Sequence, residues 1–208
     1  MKSILALLLL LITLTVDSQS FKIYVSDAGN FNDPPWQILK FDENGQNPSV
    51  YIDDNLYWPQ DILFLEDADE VLISNLDGCI NRHDASTGTY ISSFACSISG
   101  PTRTKIGPDS LLYVLQWGGN GKVRRYDLNG TYLGEFTSIG VPQSIGLDWD
   151  SNGNLYVSSF NGDLVRKFDT AGNDLGIFID TNLLGPTNIW FDSNGDMLVA
   201  DYNGTAVK

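Results

Sequence analysis

From residue 59 onward, apolar and polar residues fall into runs of five or so, too short for helices and broken each time by Gly, Asn or Asp. Four such runs are Val71-Leu72-Ile73-Ser74-Asn75, Leu112-Tyr113-Val114-Leu115-Gln116, Leu155-Tyr156-Val157-Ser158-Ser159 and Met197-Leu198-Val199-Ala200-Asp201. Each follows a proline-led run opened by Pro59, Pro101, Pro142 or Pro186, which stand 42, 41 and 44 residues apart. A second marker, an aromatic residue or His before Asp, occurs at Phe41-Asp42, His83-Asp84, Tyr126-Asp127 and Phe168-Asp169, spaced 42, 43 and 42. A copy without its opening run starts near Phe21. A fixed period near 42 residues is the mark of a repeat architecture. No helical period appears after the first twenty residues.

The copy from Val141 shows what one repeat contains. Ser144 to Asp148 predicts a first strand, Leu155 to Ser159 a second, Leu164 to Asp169 a third and Asp174 to Phe178 a fourth. They are joined by Ser151-Asn152-Gly153-Asn154, Asn161-Gly162-Asp163 and Ala171-Gly172, residues suited to tight turns. A four-stranded antiparallel meander cannot bury both faces alone. Radial stacking of such units solves the problem, so the fold class is all-β, a β-propeller of four-stranded antiparallel blades. The proline suits the start of a first strand, where a missing N–H costs nothing. Along the first strands, Ile62, Thr104, Ile145 and Ile189 share one phase; Asp61, Arg103, Ser144 and Asn188 share the other.

The segment Gly185-Pro-Thr-Asn-Ile-Trp-Phe-Asp-Ser-Asn-Gly-Asp-Met-Leu-Val-Ala-Asp201 resembles an NHL-type repeat: a Pro, an apolar strand ending in Asp, a Gly turn, then a strand ending in Asp or Asn. The resemblance covers nearly all of residues 21–208. It implies propeller blades, usually six to a closed ring, and it spans binding scaffolds, gluconolactonase-like enzymes and streptogramin-lyase-like enzymes. About four blades are expected here: the last three strands of one, three whole blades, and the start of another in which Val207-Lys208 matches Val165-Arg166. The expected organisation is therefore an incomplete six-bladed propeller over 21–208, cut within a blade; a small closed propeller is the alternative.

Residues 1–20 read differently. Lys2 is followed by a nearly unbroken apolar run, Ile4 to Val16, and by Ser18-Gln19-Ser20, the layout of a signal peptide too short to span a bilayer comfortably. The expected location is secreted or periplasmic, with no membrane span in the mature chain. A charge of −14 argues against nucleic acid and anionic membranes as partners. Much of the acid is Asp beside Asn and Gly, and so belongs to turns.

In a propeller the loops that follow the second and fourth strands share one face, around the mouth of the central channel, and function concentrates on such loops. Here they vary from blade to blade: 28–36, Leu76-Asp77-Gly78, Trp117-Gly118-Gly119-Asn120-Gly121 and Phe160-Asn161-Gly162. The candidate ligand-binding residues are Asp61, Arg103, Lys105, Trp117, Ser144 and Asn188. Arg103 and Lys105 form a lone basic pair in an acidic chain and suit a carboxylate or an acidic sugar; the other reading pairs Arg103 with Asp61 across neighbouring blades. Trp36, Trp117, Phe160 and Tyr202 suit stacking on a sugar or gripping a peptide, or else cover blade ends.

Three further features carry chemistry. Asp148-x-Asp150-x-Asn152-Gly153 matches the opening of a calcium loop, but Ser159 stands where the bidentate Glu belongs, so Ca or another divalent cation is a weak candidate and no cofactor is expected. His83, the only His, occupies the slot of Phe41, Tyr126 and Phe168 and reads as packing, which leaves no His base for streptogramin-lyase-like chemistry in this segment. The resemblance to gluconolactonase-like enzymes implies a metal set beginning just after the proline; Gln60, Thr102, Gln143 and Thr187 stand there instead, leaving Asp61 and Asn188. Cys79 and Cys96 are expected to form a disulfide in an exported protein. They face each other if Thr87-Gly88 is a two-residue turn, and lie diagonally if Ala85 to Gly88 is a four-residue loop. The sequence thus reads as a non-catalytic scaffold for a carbohydrate, peptide or protein ligand, with a divalent-metal lactonase or hydrolase as the alternative.

Overall fold

The computed structural model describes residues 21–29 and 34–204. Residues 1–20, read above as a signal peptide, part of the 28–36 loop and Val207-Lys208 lie outside the described residues. Five antiparallel sheets follow one another along the chain, each a simple meander. The first holds β1 (Ile23–Asp27), β2 (Gln37–Phe41) and β3 (Ser49–Ile52). The second holds β4 (Pro59–Leu65), β5 (Glu70–Asn75), β6 (Cys79–Asp84) and β7 (Tyr90–Ala95). The third holds β8 (Pro101–Ile106), β9 (Leu112–Gln116), β10 (Arg124–Tyr126) and β11 (Tyr132–Glu135). The fourth holds β12 (Ser144–Trp149), β13 (Leu155–Ser159), β14 (Leu164–Phe168) and β15 (Asp174–Ile179); the fifth pairs β16 (Pro186–Phe191) with β17 (Met197–Asp201). The expected blades are present with boundaries within a residue or two, and the architecture is an incomplete β-propeller.

The core lies between sheets rather than within one. Leu65, Leu72 and Phe94 of the second sheet pack on Leu112, Val114 and Tyr126 of the third. Tyr113, Leu115 and Val123 pack on Leu147, Leu155 and Phe168 of the fourth. Tyr156 and Val165 pack on Ile189 and Val199 of the fifth. Each sheet thus supplies one apolar face to each neighbour, as the repeat requires.

Three of the four boundaries between sheets carry an aromatic trio, contributed by the second strand, the fourth strand and the following first strand of the repeat. Tyr24 lies 4.8 Å from both Tyr51 and Phe64. Tyr113 lies 5.1 Å from Phe136 and 5.0 Å from Trp149, edge to face. Tyr156 lies 4.9 Å from Phe178 and 5.0 Å from Phe191. A cation from the third strand stands over these rings: Lys40 over Tyr24 and Tyr51, Arg125 over Phe136, Lys167 over Tyr156, and Arg82 over Phe94. The residue before each aromatic-Asp marker is therefore basic for a reason, a cation held against an aromatic face.

The Asp of that marker closes the turn that follows. Asp42 accepts the N–H groups of Asn44 and Gln46, Asp127 those of Asn129 and Thr131, and Asp169 those of Ala171 and Asn173. His83 fills its aromatic slot fully buried, 5.6 Å from the Tyr90 ring, with Nδ1 3.0 Å from the Gly88 carbonyl. Burial lowers its pKa and keeps it neutral, so Nδ1–H donates to that carbonyl. His83 is a packing residue, as its slot suggested.

The disulfide forms, though by neither of the simple routes. Asp84 N–H bonds to the Thr89 carbonyl and Gly88 N–H to that of Asp84, so the turn is the four-residue loop Ala85–Gly88. Near it His83 faces Tyr90; further on Asn81 faces Ser93, and beyond that Ile80 faces Ala95. Two bulges on β7 each slip the register by one residue. They convert a diagonal pair into a direct one, and Cys79 and Cys96 are bonded with Cα atoms 4.1 Å apart.

Candidate functional site

Two layers of side chains occupy the expected channel side and mouth. The inner layer lies on the first strands. Asp61, buried in β4, accepts an Arg103 guanidinium hydrogen bond at 2.7 Å through one oxygen. Its other oxygen accepts the backbone N–H and the hydroxyl of Thr104, both at 2.7 Å. One sheet on, Lys105 pairs with Asp148, whose second oxygen accepts the N–H of Phe191. Thr102 donates its hydroxyl to the Ser144 carbonyl, and Ser158 donates to that of Thr187. Charged and hydroxyl groups of the first strands, with Ser158 of the second strand β13, therefore stitch the second to fifth sheets each to the next. Arg103 and Lys105 both meet carboxylates of this chain.

Ser144 does not share the position of Asp61, Arg103 and Asn188. It pairs with Ser159 as Pro186 pairs with Asp201 and Pro101 with Gln116, so it stands where the other copies place their proline. Counting back from Leu147, Thr104 and Ile189, the residue equivalent to Arg103 is Gly146. The cause is a shift in this copy, where Pro142 and Gln143 both precede the strand. A side chain at Gly146 would strike the Thr187 carbonyl, so glycine is what lets β16 approach β12. Ser144 is fully buried and donates its hydroxyl to the Gln116 carbonyl. Asn188 is exposed.

The outer layer lies on the mouth loops and follows one rule. The residue before each first strand has a left-handed backbone: Trp58, Gly100, Gln143 and Gly185, with φ of 47, 69, 52 and 70°. The carbonyls of Gly100, Gln143 and Gly185 accept the N–H of the residue that follows the second strand of the same sheet, Trp117, Phe160 and Tyr202, while Leu76 N–H is shared between the Tyr57 carbonyl at 3.0 Å and that of Trp58 at 3.4 Å. Three of those four are aromatic. Trp117 and Phe160 rings lie 5.8 Å apart, and Phe160 and Tyr202 5.7 Å, so one row crosses three successive sheets. Trp117 and Phe160 are half-buried, while Tyr202 is 73% exposed. Trp36 stands outside the row and stacks on Tyr57 at 4.9 Å. The register pattern was available in the sequence, since Leu76, Trp117, Phe160 and Tyr202 follow aligned runs, but the link to the left-handed residue was not.

The calcium-loop residues are not brought together. Asp148 points to Lys105 and Phe191, while Asp150 accepts the N–H groups of Asn152 and Asn154 within its own hairpin and the Tyr156 hydroxyl. Among the described residues, no group of three or more His, Cys, Asp or Glu is arranged to hold a metal ion. No helix among them is long and apolar enough to cross a membrane.

No protein-family model matches the chain, and no curated relative matches it. Solved structures do. A chain of a nidogen/laminin complex superposes with a TM-score of 0.69 at 14% identity, covering 88% of this chain and 70% of that one. A protein of unknown function from Bacteroides caccae gives 0.65 at 18%, covering 90% and 71%. A protein provisionally described as a gluconolactonase gives 0.61 at 15%, covering 82% and 66%. At identities this low the likeness establishes the propeller fold alone.

Proposed function

We propose that this chain is an exported binding scaffold that engages a carbohydrate, peptide or protein ligand through the mouth-face loops, with the aromatic row as its contact surface. The observation that carries this reading is the row itself: Trp117, Phe160 and Tyr202, held at one register position by one backbone device and left accessible on three sheets. Aromatic rings offer large contact area at small entropic cost. The inner-strand charges serve the scaffold, because Asp61 and Arg103 engage each other and Lys105 engages Asp148. Export fits the disulfide, which persists in oxidising compartments. A metal-dependent lactonase finds less support, since both oxygens of Asp61 are already engaged by Arg103 and Thr104.

Glycan and peptide arrays probed with the purified chain test the proposal. Trp117→Ala or Tyr202→Ala is expected to weaken any captured ligand at least tenfold, with Asn152→Ala on the opposite face neutral. Binding that survives both aromatic changes and is lost with Asn152→Ala would overturn it.

A further inference from the structure

The aromatic trio is complete at three of the four boundaries between sheets and broken at one. Between the second and third sheets, Leu72 stands at the position of Tyr24, Tyr113 and Tyr156, and Ile106 at that of Phe64, Trp149 and Phe191. Only Phe94 remains, drawn in and buried against Tyr126. A cleft lies here, with Ile106 in its wall. Its volume is about 610 Å³, against about 140 Å³ for the hollow beside Tyr113, Phe136 and Trp149 at the next boundary and about 430 Å³ for the one beside Trp149 and Phe191 at the boundary after that. It opens on the face opposite the aromatic row, among the turns that follow the first and third strands.

The walls differ in kind. Leu65, Ile106 and Leu128 form an apolar floor, with Ile106 37% and Leu128 38% exposed. Arg82 lies along one side, its guanidinium over Phe94 and bonded to Glu70 and the Leu128 carbonyl. On the rim, a 3-10 turn at Glu66–Ala68 stands where the fourth and fifth copies have Asp-Ser-Asn-Gly hairpins. It presents Glu66 and Asp67, both exposed.

We propose that this cleft is a second binding site, independent of the mouth face, and that it takes an aromatic side chain flanked by Lys or Arg on a partner polypeptide. The repeat itself supplies the template. At the first boundary the position of Leu72 holds Tyr24 beside Lys40, and at the fourth it holds Tyr156 beside Lys167; here Arg82 stands over Phe94 alone. A partner ring entering beside Arg82 would stand where Ile106 replaces the ring of the other boundaries. Burying a ring against an apolar floor provides the affinity. The rim sets the sign of the flanking charge: Glu66 and Asp67, in a chain of net charge −14, attract Lys and Arg and repel Asp and Glu.

The test follows amide signals in a nuclear magnetic resonance titration with acetyl-Lys-Trp-Lys-amide. Acetyl-Lys-Ala-Lys-amide and acetyl-Glu-Trp-Glu-amide serve as comparisons. The proposal expects shifts centred on residues 64–68, 106 and 128, at least tenfold weaker with either comparison peptide. Ile106→Trp, which restores the residue type found at position 149, should abolish the shifts without lowering Tm. The surface change Glu66→Gln with Asp67→Asn should weaken them severalfold in a protein of unchanged Tm, and it keeps the test decisive if Ile106→Trp folds poorly. Shifts confined to Trp117, Phe160 and Tyr202, equal binding of the Lys-Ala-Lys peptide, or occupation of the cleft by a second copy of this chain would each overturn it.

Discussion

Asp61 and Arg103 show how a single pair can be read in two ways. As a basic residue beside a channel, Arg103 looks available to a ligand; in the fold it answers a buried carboxylate on the neighbouring sheet. The two partners are not equivalent. Asp61 is 7% exposed and receives three hydrogen bonds, while the Arg103 side chain is 29% exposed and has water as a second choice. Asp61→Ala strands the Thr104 N–H, its hydroxyl and the guanidinium, and is expected to cost about 2–4 kcal/mol. Arg103→Ala leaves Asp61 its two Thr104 bonds and is expected to cost about 1–2 kcal/mol. A double-mutant cycle by denaturant unfolding should then return a coupling of about 0.5–2 kcal/mol. If Arg103→Ala proves the costlier change, or the coupling is zero, the stitching role is wrong. The same asymmetry explains why the ligand test uses Trp117: a loss of binding in Arg103→Ala would mix folding with recognition.

At the scale of elements, strands and turns were legible because they obey local rules: period-two apolar runs, Asn-Gly turns, Asp caps. The disulfide pairing was legible from cell compartment, not from register. The sequence offered two turns, and the structure uses the one that disfavours the bond and then corrects it with two bulges on β7. Bulges arise from how a fourth strand curves against its neighbour, which no local signal on β7 announces. Ser144 failed for a related reason: aligning prolines assumes each sits at the same point of its strand, and Pro142 sits two residues earlier. The bond closes a loop with a sequence separation of 17, for which chain entropy gives about 3 kcal/mol. Cys79→Ser with Cys96→Ser is therefore expected to lower the unfolding free energy by about that amount and the denaturant midpoint with it, as should reduction of the native chain; equal midpoints with and without reductant would refute it. The aromatic trios make a separate prediction. Trp149→Leu converts the third boundary into a likeness of the second and should cost about 2–3 kcal/mol, read by the same unfolding curves.

Across the whole molecule, the repeat distributes acid chemistry evenly, and that fixes how stability should depend on pH. Hydrogen bonds from Ser86 and Thr87 pull the Asp84 carboxyl from its ordinary 3.8 to about 2. Asp42 is lowered by bonds from Gln46 and Asn47, Asp127 by Thr131, Asp169 by Asn173 and Asp192 by Asp196 and Asn194. A carboxyl whose folded pKa lies below its unfolded value contributes stability that is complete above about pH 4 and is lost as pH falls through the folded value. One turn in each copy does this, so the losses coincide and the molecule should unfold steeply below pH 4. His83 acts earlier and alone. Its folded pKa is also depressed, here by burial, so the neutral form is favoured and the unfolded chain binds the proton better. Its contribution is complete above about 6.5 and declines as pH falls below that value. Calorimetric Tm measured from pH 8 to pH 2 should therefore show a shallow one-proton decline beginning near 6.5 and a steep multi-proton one below 4. His83→Phe puts into this slot the residue found at Phe41 and Phe168, at the cost of the Gly88 hydrogen bond. The variant should be flat between pH 7 and 5 and still collapse below 4. A wild-type profile already flat in the upper interval, or a variant that keeps the shallow decline, would remove His83 from the account and assign that decline to other groups.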